Sequence, residues 1–525
     1  MKSDSVFALE SAGLFNSREL IRLGLCLLFI VLVMLYARTI VGDMGGGTLL
    51  IVAAMIGGYM AMNIGANDVA NNVGPAVGSN TLTLTGAIVI AAIFEATGAI
   101  IAGGEVTSTI RKGIISPDAI PDLDTFVWAM MAALLAGALW LNIATYKGLP
   151  VSTTHSIVGG VLGAGIAAGG WGIADWGKVG MIVASWVISP VMGGVIAAMF
   201  LYVIKRTITY QQDWVAAACR MVPVLIAIMT WAFGTYLLIK GLKKVWPLDF
   251  LSAASIGLAV AVAIYFAVKP VIRRAAATLG DERSGVNKLF VLPLIVAAAL
   301  LSFAHGANDV ANAVGPLAAI YDAVLNGGLA KTASIPLWIM VVGALGIALG
   351  LALYGPKLIR TVGSEITELD QSRAFCIALA AAITVIVASQ LGIPISSTHT
   401  AIGAVFGVGI LREMLRVNYA NIIADIRLHH HGEDEAVIKE YLARFAAASF
   451  QEKGEMMHEL KKKKKRPANL TLSKQERKEL KREYHKELVK RSLALKIVSA
   501  WVITVPLSGL MAAFLFFTIR GILLP

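Results

Sequence analysis

The sequence predicts an all-α polytopic membrane protein of two homologous halves forming an inverted repeat, with broken or re-entrant helices and about 11–13 membrane segments. Three observations predict it. Of 525 residues, 57% are hydrophobic and 15% charged, against about 25% charged in a soluble domain, and mean hydropathy is +0.75. The apolar residues gather in runs close to the ~20 residues needed to cross a hydrocarbon core. Two motifs each occur twice, in the same order and at nearly the same spacing, which marks an internal duplication. The composition excludes a disordered chain and a disulfide-stapled secreted scaffold. Cys26, Cys219 and Cys376 lie in apolar runs with no metal-ligand spacing.

Residues 1–47 hold the first apolar run, Leu20 to Ala37. It is long for a signal-peptide core and lacks a small-x-small cleavage site at its exit, so it reads as a retained helix. A first repeat, 48–204, carries runs near 48–66, 83–103, 126–146 and 179–204. A linker, 205–288, adds two extra membrane helices near 215–239 and 250–268. The second repeat, 289–411, carries runs near 289–304, 336–355 and 374–391, and a final run at 493–519 lies in the C-terminal segment 492–525. These make eleven spans. Two shorter glycine-rich runs, 156–174 and 395–411, either cross or enter and turn back inside protein. If 156–174 crosses, seven segments separate the two repeat starts, and an odd number inverts the second copy. If it is re-entrant, the number is six and the halves are parallel. The inverted arrangement is favoured.

The segment 412–491 has a different character. It holds 20 Lys/Arg and 13 Asp/Glu, contributing +7 of the chain's net +12. It includes His429, His430 and His431, a basic run from Lys461 to Arg466, and a Lys/Glu-rich helical pattern from Ser473 to Arg491. This reads as a soluble cytoplasmic insert beside anionic lipid headgroups, not as a nucleic-acid-binding surface. A metal role for the three histidines is the weaker alternative.

The duplication is explicit. Residues 65–75 read GANDVANNVGP and 306–316 read GANDVANAVGP, identical at ten of eleven positions. Residues 148–163 read GLPVSTTHSIVGGVLG and 392–407 read GIPISSTHTAIGAVFG, identical at eight of sixteen. The motifs stand 83 residues apart in one copy and 86 in the other. Matched polar breaks in two halves are the best sequence pointer to a transporter's binding site.

Asp68 and Asp309 place carboxylates at membrane depth, which costs about 2.5–3.5 kcal/mol each on insertion scales. Neither motif holds a Lys or Arg. Asn67, Asn71, Asn308 and Asn312 supply amide oxygens instead, a donor set suited to Na⁺ at Asp68 and Asp309, or to a proton on the carboxylate. Capping of a helix break by Asn and Asp is the alternative, and both can hold together.

In the second motif Ser152, Thr153 and Thr154, and Ser396, Ser397 and Thr398, follow Gly-x-Pro. Proline stops one helix and starts another, so these hydroxyls fall at helix N-termini, where the dipole favours an anion. Two such ends would hold a tetrahedral oxyanion without arginine; ordinary capping is the alternative. His155 and His399 are read as orienting the hydroxyls by hydrogen bonds, with a proton relay as the other option. Glu95, inside the third run, and Gln390, ahead of the second hydroxyl motif, are second-rank candidates.

An oxyanion beside two carboxylates is repelled unless cations come too. Na⁺ or H⁺ must therefore enter with the anion, which is the physical basis of symport. No cofactor is implied, and no phosphate-binding GxxxxGK[ST] loop is present.

The doubled GANDVAN-x-VGP, each followed by P-[VI]-S-[TS]-T-H, resembles the signature of the inorganic phosphate transporter (PiT) family across residues 48–411. Phe94 to Gly98 and Thr109 to Gly113 are also similar to family sequence. The resemblance implies an inverted-repeat fold in the inner (plasma) membrane of a bacterium, and symport of inorganic phosphate with Na⁺ or H⁺. Lipid and a second copy of the chain are candidate partners. It implies coupling-ion binding by Asp68, Asn71, Asp309 and Asn312, and phosphate contacts from the paired hydroxyls. Met130 and Ala378 stand where Na⁺-coupled relatives carry further acids. Sulfate symport by the same architecture, a passive anion channel and a membrane enzyme are the competing functions, in that order. The enzyme lacks a nucleophile–base–orienter set.

Overall fold

The computed structural model describes residues 2–42, 46–104, 106–107, 114–115, 120–209, 211, 213–241, 246–279, 283–326, 335–365, 369–414, 440, 444 and 491–524. The insert's histidines, its basic run and its Lys/Glu-rich stretch lie outside these residues, as does Thr109 to Gly113. Met1–Val408 and Ser492–Pro525 form one compact unit, and Gly409–Arg491 a second.

The described chain is helical: α1 Lys2–Val41, α2 Gly47–Asn67, α3 Ala70–Gly78, α4 Leu84–Ala102, α5 Leu123–Tyr146, α6 Thr153–Gly169, α7 Trp176–Ile204, α8 Trp214–Lys240, α9 Phe250–Ala277, α10 Arg283–Lys288, α11 Val291–Asp309, α12 Ala311–Asn326, α13 Leu337–Arg360, α14 Gln371–Gln390, α15 Ser397–Met414 and α16 Arg491–Leu523. Among the described residues, eleven segments are long and apolar enough to cross a membrane, and they coincide with the eleven runs read from the sequence. Their starts are written in capping residues. Asp122, Asp175, Asp213, Asp249 and Asp370 each accept a bond from a first-turn N–H of the helix that follows, which satisfies an otherwise orphaned donor.

Burial sorts the helices. The windows in Gly47–Gly78, Leu123–Tyr146, Val291–Leu325 and Gln371–Gln390 are 67–72% buried, whereas those in α1, α9 and α16 are 11–22% buried. The first four segments carry or flank the duplicated motifs and form the centre. The last three present apolar side chains such as Leu27, Phe266 and Phe514 outward, as lipid contact requires.

Close helix crossings hold the centre together. A Cβ at Gly65 of α2 would overlap the Ile347 carbonyl of α13, and one at Gly350 would overlap that of Met62. On the other side, Gly98 of α4 meets Phe303 of α11, and Gly306 meets Glu95, in the same way. Small residues here let backbones touch where water gives no help to helix association.

Both GANDVAN motifs break their helices. α2 ends at Asn67 and α3 begins at Ala70; α11 ends at Asp309 and α12 begins at Ala311. Short bonds tighten the breaks, from Asn71 N–H to the Asp68 carbonyl (3.0 Å) and from Ala313 N–H to that of Val310 (3.1 Å). The second motifs form the turns of two helical hairpins, α5–α6 and α14–α15. Each turn opens on a glycine with positive φ, +70° at Gly148 and +66° at Gly392, a conformation that favours glycine. The short α6 carries the chain back toward the start of α5: Ile115 bridges Ala174, and Asp175 N–H bonds the Ile114 carbonyl at 3.0 Å. The stretch 156–174 therefore returns the chain to the side from which α5 set out.

Candidate transport site

The two hairpin tips meet the two helix breaks in one buried cluster. Asn67 ties the first tip to the first break: Nδ2 donates to Thr145 Oγ1 (2.9 Å) and to the Leu149 carbonyl (3.1 Å), and Oδ1 accepts from Val151 N–H (3.0 Å). Asn308 does the matching work at the second, donating to the Ile395 carbonyl (3.2 Å) and to Asp309 Oδ1 (2.6 Å).

Both carboxylates receive hydroxyls. Asp68 accepts from Thr153 and from Thr398, each at 2.6 Å, one from each tip. Asp309 accepts from Ser397 at 2.7 Å. The next bonds run across the halves. Asn71 donates to Thr398 (2.9 Å), and Asn312 donates to Thr153 (3.0 Å) and Thr154 (3.3 Å). Thr154 itself donates to the Ile395 carbonyl (2.9 Å). Asn67, Asp68, Asn71, Asn308, Asp309, Asn312 and the six hydroxyl residues are all 2% exposed or less, so the cluster is closed to both faces.

Ser152 and Ser396 serve as helix caps, accepting from His155 N–H and His399 N–H at 3.1 Å. Capping and a hydroxyl cluster thus coexist, divided among residues: the serines cap, while Thr153, Thr154, Ser397 and Thr398 face the acids and amides.

The two histidines differ from expectation. No described hydrogen bond joins their imidazole nitrogens to the hydroxyls, so the rings do not orient them. Instead the rings pack tilted against tryptophans, His155 on Trp186 (centroids 3.7 Å) and His399 on Trp501 (3.6 Å), and meet each other edge to face at 4.3 Å. The helix register that aims Thr153 and Ser397 inward turns the histidines toward α7 and α16. Gln390 lies at the end of α14 with its amide oxygen buried and unpartnered; the described bonds of the cluster do not include it.

Glu95 reaches the cluster through a residue the sequence reading missed. His305 sets Nδ1 at 2.7 Å from Glu95 Oε2 and Nε2 at 2.8 Å from Asp309 Oδ2. Asn72 holds the other Glu95 oxygen at 2.6 Å. His305 lies one turn before Asp309 on the same helix face, and that i, i+4 spacing was the available signal.

The donor set fits a small hard cation. Asp68, His305 and Asp309 bring ligand atoms within 4.8 Å of one another. The amide oxygens of Asn71, Asn308 and Asn312 are buried without a partner, which is costly unless something positive meets them.

A model described as "Phosphate transporter family" matches residues 64–512. A Helicobacter pylori protein named "Putative phosphate permease" is 52% identical over 523 residues, covering 98% of each chain. A Pyrococcus abyssi protein of the same designation is 41% identical over 377 residues, 72% of this chain and 92% of that one. A solved structure titled "The sodium-dependent phosphate transporter" superposes with a TM-score of 0.73 at 31% identity, covering 91% of this chain and all of that one.

Proposed function

The chain belongs to the phosphate transporter family, and from that membership and the closed acid–hydroxyl cluster we propose that it is a secondary symporter that takes up inorganic phosphate with Na⁺ or H⁺. The observation that carries this reading is that Asp68 accepts one hydroxyl from each hairpin tip, at 2.6 Å apiece. Three of the four motif copies thereby meet at one carboxylate. Phosphate offers oxygens that Thr153, Thr154, Ser397 and Thr398 can donate to, and two helix N-termini add favourable dipole. Asp68 and Asp309 make that place hostile to an anion until cations arrive. The amide oxygens of Asn71, Asn308 and Asn312 are the ligands those cations would find.

The paired crossings support an inverted repeat. α2 packs on α13 as α11 packs on α4, glycine against carbonyl in both. The return of the chain through α6 leaves seven segments between the starts of α2 and α11, an odd number that turns the second copy over. Rocking of one half against the other would then expose the filled cluster to each side in turn. This is a cytoplasmic-membrane protein of the bacterial type, with phosphate and a monovalent cation as its cargo.

The test is uptake of ³²P-phosphate into proteoliposomes under imposed Na⁺ or pH gradients. Accumulation above equilibrium that collapses with the driving gradient is expected, and is lost in Asp68→Asn. Downhill flux alone, unaffected by either gradient, makes it a channel. Inhibition of uptake by equal unlabelled sulfate as strong as by phosphate moves the cargo to sulfate.

A further inference from the structure

Four helix ends enclose a cavity of about 260 Å³ whose lining shares no residue with the acid–hydroxyl cluster. Ile204 at the end of α7, Trp214 at the start of α8, Val286 of α10 and Ser372 at the start of α14 all face it. Ends of spanning helices gathered at one level mark the depth of the lipid headgroups. The volume falls just below the ~300–1,000 Å³ usual for small-molecule sites.

The lining has two characters. Its floor is hydrocarbon, from Leu201, Ile204, Ile208 and Phe290, each 2% exposed or less. Lys205 and Arg373 bring two cations, against one acid, Asp370. Asp370 is committed to the first turn of α14. It accepts from Arg373 N–H and from the Ser372 hydroxyl, each at 2.9 Å, and pairs with the Arg373 guanidinium at 3.3 Å. The formal charge of the lining is therefore +1. Lys205 opens a single π turn, Lys205–Thr209, that widens the chain beyond α7, and such turns occur mostly at functional sites. Trp214 adds an indole, a group that settles at headgroup depth.

A soluble anion would use the cations and gain nothing from the floor. An uncharged acyl chain would use the floor and gain nothing from the cations. The bilayer itself supplies a molecule with both parts, and basic pockets between membrane helices bind such headgroups. We propose that this cavity binds an anionic glycerophospholipid, with its headgroup phosphate at Lys205 and Arg373 and the start of its hydrocarbon over Ile204 and Ile208. That lipid ties α7 to α14, which already pack together. Both helices hold the second hairpin. α14 runs into its tip, and α7 meets α15 so closely that a Cβ at Gly193 or Gly194 would crowd the carbonyls of Thr400 and Gly403. Anionic lipid thereby steadies the tip that bears Ser397 and Thr398, and phosphate uptake rises with its share of the bilayer. This last step rests on the symport reading above, whereas the binding does not.

The experiment is native mass spectrometry of the purified full-length protein in detergent, titrated with phosphatidylglycerol or with phosphatidylcholine of the same chains. Preferential retention of phosphatidylglycerol is expected. A cation near a headgroup contributes about fivefold, so Lys205→Gln should weaken that retention about fivefold and Lys205→Gln/Arg373→Gln about 25-fold, with phosphatidylcholine unchanged. Arg206→Gln, next in sequence but outside the lining, should retain the lipid as wild type does. If the double variant does not fold, Lys205→Gln against the charge-keeping Lys205→Arg decides the matter. Equal retention of the two lipids, equal loss in Arg206→Gln, or displacement of the lipid by inorganic phosphate overturns the proposal. In proteoliposomes the initial rate of phosphate uptake should climb with the phosphatidylglycerol fraction in wild type and stay flat in Lys205→Gln. The same climb in both proteins overturns the link to the tip. Selective lipid retention in a protein with no coupled phosphate uptake fails the symport reading and leaves the lipid site standing, which is a different result.

Discussion

Asn71 donates a 2.9 Å hydrogen bond to Thr398 across 327 residues of sequence. The first broken helix is thereby fastened to the tip of the second hairpin, and Asn312 repeats the bond in the opposite sense to Thr153 at 3.0 Å. These crossed bonds make the cluster a joint property of both halves. Asn71→Ala leaves Thr398 without its donor in a dry site, at a cost of about 1–3 kcal/mol, or about 5- to 150-fold. Phosphate uptake should fall by that order, and Asn312→Ala should do the same. Uptake in both variants equal to wild type, at equal protein in the bilayer, would show that the crossed bonds are incidental.

The glycine crossings make a prediction of the opposite kind, about folding and not about transport. A methyl group at Gly98 meets the Phe303 carbonyl, and one at Gly350 meets that of Met62. Both obstacles are backbone, so neither can swing aside. Overpacking of this sort costs about 1–3 kcal/mol or more. Gly98→Ala and Gly350→Ala should each lower the thermal midpoint in detergent and reduce monodisperse protein. Gly24→Ala is the contrast, since nothing lies within 4 Å of its added carbon. An equal loss in all three would mean that helix propensity, and not close approach, governs.

Much of this was legible from residues alone. Long apolar runs can only be helices in lipid, and polar breaks repeated at one spacing can only be tolerated where protein encloses them. Asp68, Thr153 and their second-half counterparts followed from that. His305 did not, because one histidine inside FAHGAND looks like a core residue until Glu95, 210 positions earlier, is brought beside it. The histidines of the hydroxyl motif failed for a related reason. Sequence adjacency to Thr154 and Thr398 suggested a shared direction, but one residue along a helix is a turn of about 100°. That turn carries the rings to Trp186 and Trp501.

Rings packed against tryptophans and not bonded to the hydroxyls act through their faces. His155→Phe and His399→Phe preserve an aromatic face against Trp186 and Trp501, at a packing cost of about 1.5 kcal/mol or less for a volume-tolerant site. The double variant should retain gradient-driven phosphate uptake with the wild-type dependence on external pH. His155→Ala and His399→Ala should instead lose folded protein. A double phenylalanine variant that folds but no longer transports would return the imidazoles to the proton path.

The first hairpin tip hangs on one side chain. Asn67 spends both amide hydrogens and its oxygen on Thr145, the Leu149 carbonyl and Val151 N–H. Asn67→Ala removes all three bonds at once while leaving the helix break formed. At about 1 kcal/mol each, the tip should open about a hundredfold more often. Opening is measurable, because Ser152 is fully buried and a cysteine placed there is shielded when the tip is seated. Ser152→Cys should react slowly with a membrane-permeant maleimide, and Ser152→Cys/Asn67→Ala much faster. Excess phosphate together with the coupling cation should slow the labelling again if cargo re-seats the tip. Labelling that ignores Asn67 would place the tip's anchor elsewhere, in the Trp501 bond to the Pro150 carbonyl at 3.3 Å. Trp501→Phe would then be the variant that frees it.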